Sequence, residues 1–297
     1  MSNHIVTVFT PTYNRADLLP FLFESLCKQI NKDFLWLIVD GESNDGTKEM
    51  VDEFKSKGII DIEFMNNPDR SKYTAMVKCA FKVVESELVF FVDSDDTVSN
   101  DAIDTIIRNH INNVNANSVA GYIYLCEYPK SKFLIKPLND GEVIKETIIE
   151  RRRNDSVDTC CQVYKTKVLK QYDFPVFDEV FTPESVIWGR IDKDYNVMTF
   201  NKTIYFREYQ DGGYTKDGKK KLFLSPMSAM ESKRFSMVKG VAITTKIKAN
   251  LSYVMYGFAS KLSYKEMLNT SPDKYVSIIV TPFSFVLWLY YKRKYKL

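Results

Sequence analysis

The sequence predicts an α/β fold, a mostly parallel Rossmann-like sheet flanked by helices, with a helical C-terminal extension. Three observations predict it. Strand and helix patterns alternate through the first hundred residues, the order that builds a parallel sheet with right-handed crossovers. The apolar runs at 34–39 and 88–92 both end in acid, at Asp40 and at the tetrad Asp93-Ser94-Asp95-Asp96. Beyond Ser225 the pattern becomes helical, with basic and apolar residues mixed.

Residues 4–10 are β-branched and apolar, hence a buried strand. Pro11-Thr12-Tyr13-Asn14-Arg15 follows as a turn, and 16–29 carries Leu18, Leu22 and Leu26 at helical spacing. A second strand at 34–39 leads through the loop 41–46 to a helix over 47–57. A third strand covers 59–65, a helix covers 73–85, and the buried strand 88–92 delivers the acidic tetrad. Residues 118–127 read as another strand. Arg151-Arg152-Arg153 is a basic run of the kind usually found on a solvated face. The aromatic-rich stretch from Tyr172 ends in the turn Asp211-Gly212-Gly213 and suits a substrate-facing wall. These patterns divide the chain into 1–220, with halves at about residue 100, and a helical region 221–297.

Val276 to Tyr291 is the strongest membrane pattern in the chain. It falls short of the roughly 20 residues that a spanning helix needs, and Pro282 interrupts it. With Lys292, Arg293, Lys294 and Lys296 behind it, the segment suits peripheral contact with an anionic membrane surface. Packing on the core or on a second subunit is the alternative.

The tetrad carries the chemistry. A strand ending in carboxylates brings them to the sheet edge where open α/β folds bind ligands. Alternate residues of an extended chain project the same way, so Asp93 and Asp95 can converge on one hard cation. Oxygen ligands beside phosphate suit Mg²⁺ or Mn²⁺ rather than zinc. An isolated acidic pair is more often a solvated loop, but here Asp40 and the polar turn after the first strand reach the same edge. Neither a G-x-G-x-x-G nor a Walker A sequence is present, which removes the main support for dinucleotide and P-loop sites. A net charge of +3 gives no case for nucleic acid. Only two histidines occur, His4 and His110, the latter expected on a helix surface. A histidine triad or zinc site is thereby disfavoured, and a carboxylate becomes the expected general base. Five irregularly spaced cysteines and an N-terminus without a secretory pattern predict a reduced, cytoplasmic chain, peripheral on the inner face of the membrane if the tail binds lipid.

Three segments, VTVFTPTYNRADLLPFLFESL, DFLWLIVDGESNDGTKEMV and RSKYTAMVKCAFKVVESELVFFVDSDD, occur in an order and spacing that resembles the family 2 glycosyltransferases of the GT-A fold. The resemblance covers about the first hundred residues, the nucleotide-sugar half; the acceptor half, about 101–220, matches loosely. It implies inverting transfer of a sugar from a nucleoside diphosphate donor, commonly a UDP-sugar, to a hydroxyl of a saccharide or lipid-linked acceptor. By position, Thr10, Pro11, Tyr13 and Arg15 resemble the nucleoside-facing turn, and Asp40 the acid that bonds the base. Lys72 matches a cation near the base or diphosphate. Asp93, with Ser94, and Asp95 resemble the pair that binds ribose and the divalent metal, with Asp96 beside them. The chain departs from the family at Asp40-Gly41, where two acids are frequent, and at Val77, where asparagine is frequent. In Thr182-Pro183-Glu184-Ser185 the second acid of a frequent Glu-Asp pair is missing, which leaves Glu184 as candidate base. Asp178 and Glu179 are reserves, and Asp211 is a candidate for shaping the acceptor or sugar pocket. A cell-surface polysaccharide is the expected product. A sugar-nucleotide nucleotidyltransferase and a catalytically degenerate GT-A scaffold stay open as alternatives.

Overall fold

The computed structural model describes residues 4–69, 71–129, 137–145, 160–208, 218–237 and 242–296. Arg151–Arg153 and Asp211–Gly213 lie outside the described residues. The chain forms two compact units, 1–173 with 194–211, and 174–193 with 212–297. A division near residue 220 leaves 174–193 with the sheet; the backbone packs that segment into the second unit.

The first unit is built on one mixed sheet. Its strands are β1 (Val6–Thr12), β2 (Phe34–Asp40), β3 (Asp61–Asn66), β4 (Leu88–Phe91), β5 (Thr97–Val98), β6 (Val119–Glu127), β7 (Val143–Ile144), β8 (Cys160–Lys165) and β9 (Asn196–Phe206). Among the described residues their order is β3-β2-β1-β4-β8-β6-β9-β5, with β7 on β9. The first four are mutually parallel, whereas β8 runs antiparallel to both β4 and β6. The chain steps outward from β1 to β3 and then returns to place β4 on the other side of β1. That reversal makes the β1–β4 boundary a topological switch point, where the strand ends part to leave a crevice.

Helices α1 (Leu19–Cys27) and α2 (Thr47–Ser56) are the β1–β2 and β2–β3 crossovers. Phe23, Trp36 and Phe54 stack between them and the sheet, the closest pair having ring centroids 4.1 Å apart. The expected start of α1 at residue 16 moves to Leu19, because the Leu18 and Leu19 N–H groups both donate to the Arg15 carbonyl and close a turn first. The next helix, α3, has three parts: Lys72–Thr74, a π-helical stretch Ala75–Ala80, and Phe81–Val83. Helix α4 (Ala102–Asn112) corrects the expectation for His110. That side chain is buried, with its ring nitrogens 2.9 Å from Tyr122 Oη and 2.8 Å from the Glu87 carboxylate. The reason is periodicity: Ile103, Ile106, Ile107 and His110 share the face that packs inward.

Gly121 of β6 lies against β8 so closely that a Cβ would sit 2.2 Å from the Val163 carbonyl oxygen and 2.9 Å from Tyr164 Cα. Both atoms are backbone and cannot rotate away. Gly121→Ala is expected to destabilise the chain by about 1–3 kcal/mol through overpacking, seen as a lower denaturant midpoint. An unchanged midpoint would mean that β6 and β8 separate freely.

After the short helix α5 (Thr166–Leu169), the second unit is helical: α6 (Ser185–Asp194, whose last residue counts with the sheet), α7 (Gly218–Leu224), α8 (Pro226–Arg234), α9 (Ile243–Ala259), α10 (Tyr264–Thr270) and α11 (Lys274–Tyr295). Phe223, Met230, Tyr253, Val254, Tyr256 and Met267 form its core. Arg190 of α6 pairs with Glu231 of α8 at 2.7 Å. Helix α11 differs from expectation. It runs unbroken through Pro282 for 22 residues, because proline removes only one of its backbone hydrogen bonds while the flanking turns and packing remain.

Candidate functional site

The C-terminal ends of β1, β2 and β4 bring three loops together in the first unit. The turn after β1 and the loop after β2 are bonded to each other by their backbones and short polar side chains. Asn14 adopts a left-handed conformation, φ 50°, which asparagine tolerates. Its N–H donates to Ser43 Oγ at 2.7 Å, and its side-chain oxygen accepts from the Asn44 N–H at 2.9 Å. The Ala16 N–H donates to Asp45 at 3.0 Å, and the Arg15 N–H to Thr47 Oγ1 at 3.3 Å. These bonds hold the turn carrying Tyr13 and Arg15. Asp40, buried at the end of β2, accepts from the Ser43 N–H at 2.7 Å and the Ser43 hydroxyl at 2.5 Å. A loop rich in Ser, Asn, Asp and Gly folds this way because its side chains substitute for absent backbone partners.

Thr10 does not share the exposure of that turn. It is fully buried, and its hydroxyl accepts from the Trp36 indole N–H at 3.0 Å, a core contact. The surface expected of Thr10 is supplied by Tyr13, which is exposed, and by the half-buried Pro11 and Arg15. Thr12, opposite Asp40 in the β1–β2 register, has a buried hydroxyl with no hydrogen-bond partner among the described residues. Such an orphaned group at a sheet edge is one that a bound ligand can satisfy.

The acidic loop after β4 differentiates its three carboxylates. Asp93 pairs with Lys72 at 2.6 Å. Lys72 reaches it from the first turn of α3, whose start is anchored by Asn67 donating to the Ser71 carbonyl at 3.0 Å and to Thr74 Oγ1 at 3.1 Å. Asp96 is buried and enclosed by β9. Tyr205 donates to its Oδ2 at 2.7 Å, and the Glu208 N–H donates to Oδ1 at 3.1 Å. The same Tyr205 hydroxyl accepts from the Asp93 N–H at 2.9 Å. The Arg207 guanidinium lies 4.0 Å from Asp96 and packs over the Tyr205 ring. Ser94 is buried between the acids. Among the described residues, no cation lies within ion-pair distance of the half-buried Asp95.

The charges follow from these partners. Burial pushes the Asp93 carboxyl up, but the Lys72 and Arg207 charges outweigh it and hold the group below the usual carboxylate range. Burial first, and then the Asp93 charge, push Asp95 up. Burial and Asp93 likewise push Asp96 up to about 7, against the Tyr205 hydrogen bond. The loop therefore holds clustered negative charge that a cation would relieve, with Asp95 the acid not already committed. No group of three or more His, Cys, Asp or Glu side chains suited to a metal occurs among the described residues. The donor set fits a hard ion such as Mg²⁺ or Mn²⁺ that takes one or two carboxylates and completes its shell with phosphate oxygens and water.

Tyr205 and Arg207 join the site without any signal of their own in the sequence. Both fall in the aromatic stretch expected to face substrate, but which of its side chains reach the acidic loop depends on how β9 pairs with β5 and β6.

Glu184, Asp178 and Glu179 belong to the second unit. Glu184, half-buried, lies just before α6, and its carbonyl accepts from the Ile187 and Trp188 N–H groups. Glu179 serves the fold: its two oxygens accept from the Met227 and Ser228 N–H groups at 2.8 and 2.9 Å, capping the start of α8. Asp211 lies outside the described residues.

Comparison with known proteins agrees with this architecture. TarS 1–349 of Staphylococcus aureus superposes with a TM-score of 0.61 at 17% identity, over 89% of this chain and 77% of that one. The mannosyltransferase PcManGT of Pyrobaculum calidifontis, in complex with GDP-Man and Mn²⁺, gives 0.57 at 14% identity, over 99% and 84%. These likenesses show the GT-A fold. In sequence, TuaG of Bacillus subtilis, assigned to teichuronic acid biosynthesis, is 27% identical over 49% of this chain and 59% of its own length. WfgD of Escherichia coli, named as a UDP-Glc:alpha-D-GlcNAc-diphosphoundecaprenol beta-1,3-glucosyltransferase, is 23% identical over 68% of this chain and 75% of its own. A teichoic acid poly(glycerol phosphate) polymerase of Staphylococcus epidermidis is matched over only 28% of its length. Residues 7–173, more than half of the chain, match the model of the Glycosyl transferase family 2, and the chain belongs to that family.

Proposed function

We propose that the chain is an inverting glycosyltransferase that moves a sugar from a UDP-sugar to a hydroxyl of a lipid-linked or polymeric acceptor in cell-surface polysaccharide synthesis. The observation that carries this reading is the acidic loop at the switch point, where Asp93 is neutralised by Lys72 and Asp95 has no paired cation among the described residues. Asp40, the orphaned Thr12 hydroxyl, Tyr13 and Arg15 line the adjacent loop ends and suit a nucleoside. S. aureus TarS has been captured with UDP and with UDP-GlcNAc, and WfgD is named for a UDP-glucose donor and a diphosphoundecaprenol acceptor, which supports both choices.

Asp95 would hold a Mg²⁺ or Mn²⁺ ion, which when bound neutralises charge on the departing diphosphate. Lys72 and Asp93 would orient the ribose and diphosphate, and Arg207 would keep positive charge beside the acidic loop. Glu184 is proposed as the base that takes the acceptor hydroxyl proton. The acceptor oxygen then bonds to the anomeric carbon from the face opposite the nucleotide as the bond to the diphosphate breaks. Inversion of configuration follows, with nucleoside diphosphate as the second product. None of the five cysteines forms a disulfide, in keeping with action at the cytoplasmic face of the membrane.

Thermal stabilisation by UDP, GDP, CDP and dTDP, each with Mn²⁺ and with chelator, tests the donor site. UDP with Mn²⁺ is expected to stabilise by about 2.7 kcal/mol at a hundredfold excess over Kd, and chelator to reduce the shift. Absence of a shift with every nucleotide would favour a degenerate scaffold.

A further inference from the structure

Helix α11 is packed inside out. Its small polar side chains face the protein: Ser277 and Ser284 are fully buried, with Ser277 Oγ donating to Asn250 Oδ1 at 2.8 Å and Ser284 Oγ to the Leu251 carbonyl at 3.0 Å. Val280 is also buried and Trp288 packs partly on the core, but most of the large apolar side chains face outward: Ile279, Phe283 and Val286 are 69%, 67% and 64% exposed. Contacts advance together along the two helices, Lys246 with Asp273, Asn250 with Ser277 and Phe258 with Phe285, so α9 and α11 run in the same direction. An apolar groove of about 640 Å³ is lined by Ile243, Ile247 and Leu251 of α9 and by Ile279, Phe283 and Val286 of α11, among others.

A helix packed in water turns its apolar stripe inward. Helices in lipid do the reverse, meeting through small residues and hydroxyl hydrogen bonds while the apolar side chains face out. Charge says what lies over this face. No Asp, Glu, Lys or Arg occurs between Lys274 and Lys292. At the end of α11, exposed Lys292, Arg293, Lys294 and Lys296 adjoin Trp288, Tyr290 and Tyr291, the aromatic-and-basic grouping of a membrane interface. Lys246 and Lys248 flank Ile247 on α9, which puts charge beside the groove and favours a position at headgroup depth over a transmembrane one.

We propose that the α9–α11 face is a docking surface for an anionic lipid bilayer. The groove takes acyl chains of one leaflet, and the basic end of α11 pairs with lipid phosphates. This inference rests on the second unit alone and is independent of the donor site.

The test is flotation of the full chain with vesicles of phosphatidylcholine alone or with phosphatidylglycerol. Binding is expected to the anionic vesicles, to weaken with salt, and to be released by alkaline carbonate. Ile279→Glu with Phe283→Glu, both at exposed positions, should abolish it. Replacing Lys292, Arg293 and Lys294 by Gln should lower partitioning about a hundredfold, at roughly fivefold per charge. Both variants should keep the wild-type UDP response, which separates a failure here from a failure of the donor site. Three outcomes would overturn the proposal: no vesicle binding by the wild type, carbonate-resistant insertion, or a concentration-dependent dimer without lipid binding that the glutamates dissociate.

Discussion

Asp95→Ala is expected to lower sugar transfer by at least about a hundredfold while leaving the protein as stable as wild type or slightly more so. The catalytic half follows from position. Among the described residues Asp95 is the acid of the loop without a paired cation, and the cost of losing a preorganised electrostatic group of this kind is typically about 10²–10³ in rate. The stability half follows from charge. Burial and Asp93 push the Asp95 carboxyl up, so its ionised form is disfavoured in the fold, and removing it relieves Asp93 and Asp96. Turnover of a UDP-sugar and thermal melting, measured on the same preparation, check both halves. Wild-type turnover in the variant would remove Asp95 from the mechanism. A collapse in melting temperature would make the residue structural.

Tyr205→Phe should destabilise the first unit markedly. One hydroxyl accepts from the Asp93 N–H and donates to the Asp96 carboxylate, and the side chain is almost wholly buried. Phenylalanine fills the same space but leaves a donor and a buried acid each one partner short. At about 1–3 kcal/mol for an unsatisfied buried group, the expected loss is roughly 2–4 kcal/mol, with a matching fall in denaturant midpoint. Because Asp93 and Asp95 share the loop that Tyr205 braces, kcat should fall as well, while Asp40 and the turn after β1 keep much of the nucleotide affinity. A variant with unchanged midpoint and unchanged kcat would show that the Lys72–Asp93 pair and the Glu208 N–H hold the loop without it.

Legibility in the sequence differs by element. The strands β2 and β4 announce themselves because parallel strands buried on both faces read as continuous apolar runs, and β1 because it is β-branched and apolar; each ends where polar residues begin. Helix α11 is legible in composition but not in length, since a proline signals a break that surrounding turns can override. His110 reads as a surface residue because one histidine among polar neighbours gives no hint that its turn of α4 faces inward. Thr10 groups by sequence with the turn that follows it, although alternation along β1 points its hydroxyl at Trp36.

The sequence by itself determined the alternation of strand and helix, the placing of Asp40 and the Asp93–Asp96 tetrad at strand ends, and the family-like order of the three motifs. These are local properties, written in periodicity and in residues a few positions apart. Only the tertiary structure decided that Lys72 neutralises Asp93, that Tyr205 joins two members of the tetrad from more than a hundred residues away, and that α11 turns its serines inward and its isoleucines out. Those contacts depend on register and helix rotation, which long-range packing sets, and nothing in a short window of sequence carries that information.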